Sequence, residues 1–502
     1  MNSSRAVTAG FAAVSSAILV SDDSLNRAAR FYSVAFPAYI HYEITDRIYK
    51  NSSEAERREI FHKLHARYSP IMRDNVLRMR GFFLKAAQLM STREDFVPPE
   101  YLEWTTKMQN EAPVTFSSER AKLIVCDSFG LNSVNHLFSE WVDEPVGSAS
   151  IGQVYRAKLK SDPKKFVAVK VQAPNAEKQF KSDLRACKIF CKLALPHLVV
   201  SLEEIERQFL TEFDYTLEAN NLSDIRRNLI EEGPWGSKVV VPRPYVNLCS
   251  KNVLVMEFIE GRKVSDIFNE HLEEIAKREH KTVIEVKNEF KDKILKEGLT
   301  NVEHRWWQLT FNRMLNFFRP SKIPSVNVVD LLETAMKVHG YQIFVNGTFN
   351  GDPHPGNLIL TPEGKLGLVD FGQVKRLDEF RLEQIARLIT ALNEDRKGDI
   401  VSIALEMGSR NKYNIPDVIY RLTAFWFDRD TPDVTQGLDI HKFLEEMERQ
   451  DPQEVLCQDL VMVSRCSVML RSLGLSLGLR VRTTDYWKDY AKNFLAQKSR
   501  SS

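Results

Sequence analysis

The stretch "FNGDPHPGNLILTPEGKLGLVDFGQ", residues 349–373, decides how the chain is read. Gly and Pro punctuate it, and the short apolar runs "LIL" and "LGLV" have the look of a β-hairpin held between two tight loops. Asp352 and Asn357 fall on one loop and Asp370 on the other. Two carboxylates and an amide this close together suit a hard cation, because Mg²⁺ takes oxygen ligands and keeps only one or two from the protein.

A triphosphate gives that grouping a purpose. Phosphoryl transfer asks a protein to hold the phosphates, place the metal and orient an acceptor oxygen in line. Asn357 and Asp370 are the candidate Mg²⁺ ligands, and Asp352 is the candidate group that accepts or orients the proton of an attacking hydroxyl or water. The spacing D-x-x-x-x-N followed by D-F-G is the one protein kinases use.

Upstream residues supply the rest of such a site. "VAVK" ends a predicted strand at Lys170, from which an ammonium reaches α- and β-phosphates. "GSASIGQV", residues 147–154, is G-x-G-x-x-G-x-V with Ala149 at the middle glycine. Gly147, Ser148, Ala149, Ser150, Gly152 and Val154 are thus the candidate nucleotide loop, and a Cβ at Ala149 should restrict it. A glutamate to aim Lys170 comes from "EFDYTLEANN", where Glu218 is chosen. Asp214 lies one turn earlier on the same face if the segment is helical, and Glu212 is an additional acid.

Composition sets the frame. The chain has 502 residues, 43% hydrophobic and 27% charged, which is ordinary for a folded protein of more than one structural unit. Lys+Arg 69 against Asp+Glu 67 gives a net charge of +2, and no long basic run argues for a nucleic-acid partner. Six scattered cysteines without a C-x-x-C pair read as free thiols in a reducing compartment. The apolar run 8–20 is short for a bilayer span, and the acid-free start is compatible with an organellar presequence. A second semi-apolar stretch, "FYSVAFPAYIHYEI", reads equally as a surface-lying or a core helix.

The expected organisation runs as follows. Residues 1–53 form an N-terminal segment, either a presequence or a membrane-proximal helix. Residues 54–145 form a helical extension, broken at Pro98 and Pro99. Residues 146–262 form a small antiparallel sheet with helices, its first two strands joined by a polar turn containing Asp162 and Pro163. Residues 263–400 form a second lobe with a charge-rich insertion over about 269–325. Residues 401–502 are again helical, interrupted at Gly474 and Gly478. His354 reads as a brace for its loop rather than a metal ligand, and the aromatic-rich stretch 304–318 as helix packing or a membrane-facing surface.

In order, "GFFLKAAQLMSTREDFVPPEYLEW", "GSASIGQVYRA", "VAVKVQ", "EFDYTLEANN", "VLVMEFIEG", "NGDPHPGNL" and "VDFG" resemble the motifs of the UbiB-like atypical kinases, also called aarF-domain-containing kinases, over roughly residues 75–375. The resemblance implies an α+β, bilobal protein-kinase-like fold with a family-specific N-terminal helical extension and extra C-terminal helices. It implies ATP or ADP with Mg²⁺ as ligands, and Glu257 of "VLVMEFIEG" among the nucleotide-binding residues. It also implies that Lys85 and Gln88 of the extension meet Glu212 and Asp214, while Lys170 pairs with Glu218.

Two positions depart from the family pattern: Ala87 stands where the extension usually has Gly, and Gly351 where a side chain often precedes the Asp. The implied activity is ATP hydrolysis or phosphate transfer to a lipid or small-molecule acceptor. That activity would support quinone or lipid metabolism in a mitochondrion, with a plastid as the alternative, through pathway proteins and peripheral membrane contact. The competing functions are a nucleotide-binding scaffold without chemistry and a small-molecule kinase of the aminoglycoside or choline type.

Overall fold

The computed structural model describes residues 23–90, 97–110, 116–148, 151–195, 199–283, 285, 286, 289, 328–438, 440–455, 457–476 and 479–501. Residues 1–22, Ala149, Ser150, Gly478, the stretch 304–318 and most of the charge-rich insertion lie outside the described residues. The chain divides into two compact units, one of residues up to Leu217 plus Asn247–Val255, the other of Glu218–Val246 plus Met256 onward.

The first unit opens with α1 (Asp23–Ile48), α2 (Glu54–Met79), α3 (Gly81–Met90), α4 (Pro99–Asn110) and α5 (Ser118–Phe129). Local chemistry sets their ends. Ser53 accepts the Glu56 N–H to start α2, and Pro99 starts α4 at a position where a missing N–H costs nothing. Gly130, at φ 65°, closes α5 in the left-handed conformation that suits glycine. Between α2 and α3 the chain turns at Arg80 and Gly81, both with positive φ.

The "FYSVAFPAYIHYEI" stretch lies within α1 and is a packing helix. Phe31, Tyr32, Phe36 and Tyr39 gather around Phe190 and Cys191 of α6 (Ala176–Ala194). Arg27 Nε donates to Asp183 of α6 at 2.9 Å, and its Nη2 donates to the Met79 carbonyl at 2.6 Å.

The sheet of this unit begins earlier than the sequence suggests. β1 (Phe138–Trp141), within the stretch read as helical extension, pairs antiparallel with β3 (Gly152–Leu159). A four-residue strand carries too little alternation to be read alone, and only its partner defines it. β2 (Gly147–Ser148) also pairs with β3, and β3 pairs with β4 (Asp162–Gln172). The β3–β4 turn is Lys160–Ser161, so Asp162 and Pro163 already belong to β4.

Of the next two strands, β5 (Val239–Val240) belongs to the second unit, while β6 (Val253–Glu257) opens in the first and extends this sheet beside β4. β5 and β6 follow one another closely along the chain. They belong to different sheets because β5 pairs parallel with a strand more than a hundred residues later. Between β4 and β6 run α6, α7 (Val199–Leu210), a 3₁₀ turn at Thr211–Phe213, and α8 (Tyr215–Arg226).

In the second unit β7 (Arg262–Lys263) leads into α9 (Val264–Glu279), and α10 (Val328–Phe344) into β8 (Thr348–Asn350). The expected hairpin is present as β9 (Leu358–Leu360) and β10 (Leu366–Leu368), with Leu366 opposite Leu360. They sit centrally in a sheet of order β5-β10-β9-β7. β11 (Val374–Arg376) returns to pair with β8, so that the two flanking loops start and end on one small ribbon.

The C-terminal part is helical: α11 (Glu379–Asn393), α12 (Lys397–Glu406), α13 (Pro416–Phe427), α14 (Ile440–Gln450), α15 (Gln458–Ser476) and α16 (Thr483–Ser501). One short pair, β12 (Arg410–Asn411) with β13 (Gln453–Val455), interrupts them. Gly474 lies inside α15, where an added Cβ would stand 2.8 Å from the Leu479 carbonyl. Trp487 of α16 is fully buried, its indole N–H on the Met336 carbonyl of α10. Among the described residues no helix is long and apolar enough to cross a membrane.

Candidate active site

In the first unit the β3–β4 ladder places Lys170 opposite Val154 and Gly152 opposite Gln172. Lys170 is buried, with its ammonium 5.1 Å from the centre of the Tyr215 ring. Gly152 is required by close approach. A Cβ there would lie 2.5 Å from the Val171 carbonyl and 2.6 Å from the Tyr215 hydroxyl, whereas one on Gly147 would meet nothing within 4 Å among the described residues. Gly147 and Ser148 pair with Val154 and Gln153, so β2 and β3 hold the two ends of the loop.

The extension does bring Lys85 to Glu212. The Lys85 ammonium sits 3.1 Å from Glu212 Oε1 and 4.7 Å from the centre of the Phe209 ring, and both charged side chains are less than a fifth exposed. Gln88, one turn on, donates to the Met108 carbonyl of α4 at 2.9 Å. Ala87, standing for the family's glycine, is buried with Leu84 and Met108, so its methyl fills the α3–α4 contact.

Asp214 differs from the helical-face expectation. Its backbone is extended, at φ −127° and ψ 97°, between the 3₁₀ turn and α8. Its Oδ1 accepts the Thr216 N–H at 2.9 Å and the Thr216 hydroxyl at 2.6 Å, which makes it the cap of α8. An aspartate prefers this role to a helix interior because its short side chain reaches the backbone two residues on.

In the second unit Glu218 occupies the first turn of α8 and is buried. Glu257 is turned to Arg243, whose backbone N–H it accepts at 3.0 Å, and to the Arg226 guanidinium at 3.6 Å. These contacts account for its side chain without a nucleotide.

The loop residues of the opening stretch are drawn together by one side chain that the sequence reading passed over. Asn350, buried at the end of β8, accepts the Asp352 N–H at 2.9 Å and donates to the Asp370 carbonyl at 2.8 Å. Its own N–H goes to Gln342 Oε1 of α10 at 2.9 Å. Gly351 N–H closes on the Gln373 carbonyl at 2.7 Å. Asn357 donates to the Asp352 carbonyl at 3.4 Å, a contact made through the amide nitrogen and not the oxygen. Asp370 Oδ1 accepts the Gly372 N–H, and the α8 residue Asn221 donates to the Phe371 carbonyl at 3.2 Å. His354 Nδ1 accepts the Gly356 N–H and caps the 3₁₀ turn Pro355–Asn357, the bracing role expected of it.

A second contact set comes from α15, more than a hundred residues on. Arg465 reaches Asp352 Oδ1 at 3.2 Å and Gln373 Oε1 at 2.8 Å, and the Cys466 thiol donates to the Asn350 carbonyl at 3.3 Å. Burial pushes that thiol well above its ordinary range, so it stays a neutral donor.

Among the described residues no three or more His, Cys, Asp or Glu side chains gather as a metal centre of their own. One carboxylate and one amide oxygen match the sparse protein share of an Mg²⁺ that is otherwise held by phosphates and water. The fit is to a metal–nucleotide pair, not to a bare ion.

These elements define a kinase-like protein. The model of the ABC1 atypical kinase-like domain matches residues 107–301 and 320–403, more than half of the chain, and the chain belongs to that family, the UbiB or aarF family of atypical kinases. It is 28% identical over 326 residues to the chloroplastic protein Activity of BC1 complex kinase 3 of Arabidopsis thaliana, covering 63% of this chain and 38% of that protein. It is 26% identical over 377 residues to the chloroplastic kinase 7 of the same series, covering 73% and 46%. With a probable serine/threonine-protein kinase, abkB, of Dictyostelium discoideum it shares 27% identity over 339 residues, covering 65% and 40%. The matches thus span less than half the length of these three relatives.

Proposed function

We propose that the protein binds Mg-ATP and transfers its γ-phosphoryl group to a non-protein acceptor, a lipid or small molecule, or to water. The observation that carries this reading is the Asn350 clamp, which fixes the Asp352 and Asp370 backbones to one side chain. An in-line displacement gains most from such positioning. In the proposed step the acceptor oxygen bonds to the γ-phosphorus, the bond from that phosphorus to the β–γ bridging oxygen breaks, and ADP leaves. The acceptor proton passes to the Asp352 carboxylate. Bound Mg²⁺, held through Asn357 and Asp370, would neutralise charge on the phosphates. Lys170 would hold the α- and β-phosphates.

The extension supports a non-protein acceptor, since Lys85 is committed to Glu212 and α3 is packed into its own unit. We assign the protein to organellar lipid or quinone metabolism, working with proteins of that pathway and with peripheral membrane contact. The chloroplastic names of the two Arabidopsis relatives support a plastid ahead of the mitochondrion that the sequence reading favoured. Release of γ-phosphate from Mg-ATP, measured in the parent and in Lys170→Ala, Asp352→Asn and Asp370→Asn, tests the reading. Turnover in the parent and loss in all three supports it. Unchanged turnover in Lys170→Ala and Asp370→Asn overturns it, and rescue of cellular function by Asp352→Asn would favour a scaffold that binds nucleotide without chemistry.

A further inference from the structure

We infer that Arg465, on the C-terminal helix α15, is a positioning residue for the Asp352 carboxylate, which makes α15 a working part of the catalytic loop. The inference rests on Asp352 being the proton acceptor of the proposed phosphotransfer.

Three residues on one face of α15, at i, i+3 and i+4, meet three consecutive residues of the loop. The Met462 methyl occupies the space that a Cβ on Gly351 would need. Arg465 bridges Asp352 and Gln373, and Cys466 holds the Asn350 carbonyl. Gly351 thus has a structural reason. A side chain there would push the Met462 methyl aside and press on the Gln373 carbonyl at 3.2 Å, so the glycine lets Met462 of α15 rest on the loop.

The chemistry of Arg465 is specific. Gln373 follows the D-F-G triplet, and Asp352 lies in the other loop of the site, so one guanidinium ties the two loops through side chains as Asn350 ties them through the backbone. Its fork of donors suits a shared arrangement that a lysine cannot reproduce. Asp352 and Arg465 are each only about a fifth exposed, so the pair is poorly screened. The titratable groups near the Asp352 carboxylate are Arg465 and the neutral Cys466 thiol from α15, with His354 in its own loop and Asp370 across the Asn350 clamp. Arg465 is the cation among them that contacts Asp352, and it fixes where that carboxylate points.

The test compares the full-length parent with Arg465→Gln, Arg465→Lys, Asp352→Asn and the Arg465→Gln/Asp352→Asn double variant. The measurements are ATP turnover with kcat and KM separated, nucleotide affinity and melting temperature. In Arg465→Gln, kcat should fall by about 10- to 100-fold, part of the range a positioned base contributes. ATP affinity and KM should stay within about twofold, so that the loss falls on kcat alone. Arg465→Lys, which keeps a cation beside Asp352 without the forked donors, should recover part of kcat. The melting losses of Arg465→Gln and Asp352→Asn should not add in the double variant.

A purely structural arginine would lower the melting temperature while leaving kcat, measured well below the melt, unchanged. That result, or additive melting losses, overturns the inference while the phosphotransfer reading stands. Equal turnover in the parent and Asp352→Asn overturns the phosphotransfer reading, and this inference with it.

Discussion

Replacing Gly152 by alanine separates a glycine kept for packing from one kept for phosphate approach. The added Cβ would stand 2.5 Å from the Val171 carbonyl, 2.6 Å from the Tyr215 hydroxyl and 3.3 Å from the Gln172 Cα. The first and last of these are backbone atoms of β4, which the β3–β4 ladder holds in place, so the strain cannot be relieved by a rotamer change. Overpacking of this kind costs about 1–3 kcal/mol. For a unit of this size each kcal/mol lowers the melting temperature by about 2–4 °C, so a drop of roughly 2–12 °C is expected.

Calorimetry or a dye-based melt without nucleotide is the assay. Tyr215→Phe removes the hydroxyl contact alone, so Gly152→Ala/Tyr215→Phe should recover part of the loss and not all of it, because the Val171 carbonyl remains. Gly147→Ala is the control. Among the described residues it meets nothing within 4 Å, and its melting should shift by no more than the equivalent of about 0.5 kcal/mol. A Gly152→Ala variant that melts with the parent, or one fully restored by Tyr215→Phe, would refute the packing argument.

Three further outcomes are expected. Lys85→Ala leaves Glu212 partly buried without its cation and should cost about 1–3 kcal/mol by chemical denaturation, while Lys85→Ala/Glu212→Gln costs less than the sum of the singles. His339, fully buried with Nδ1 on the Ala335 carbonyl, is held by burial at a pKa of about 4, against an ordinary value of 6.5. The unfolded chain binds that proton first, so stability is intact above pH 6.5 and falls by about 3 kcal/mol as pH drops from 6.5 to 4; His339→Gln should flatten that part of the melting curve against pH. Asp214→Ala removes the cap of α8 and should cost about 1 kcal/mol, with Asp214→Ser recovering most of it in the same denaturation assay.

The hairpin at 358–368 and the strand ending at Lys170 were legible because short alternating runs between Gly, Pro and polar turns leave few other readings. The loop acids were legible for the same reason, since the turns on either side fix their separation. Lys85 and Glu212, far apart in sequence, were joined only by the family resemblance, and the ion pair between them is present. Asp214 was misplaced because a 3₁₀ turn and a helix share the same short-range pattern, and only the cap geometry tells them apart. β1 was lost in the same way, being defined by its partner strand. Arg465 had a usable signal: a lone cation in the apolar run "VMVSRCSVML" must find a polar partner when that helix packs. Nothing local says that the partner is Asp352.

The most direct test of Mg-ATP binding at this site is the melting temperature of the full chain titrated with ATP and ADP, with and without Mg²⁺, in the parent and in Asp370→Asn. Nucleotide at a hundredfold excess over its Kd should stabilise the parent by about 2.7 kcal/mol. The account predicts a shift that requires Mg²⁺ and is lost in Asp370→Asn. A shift of equal size in the variant, or none in the parent with either nucleotide, would contradict it.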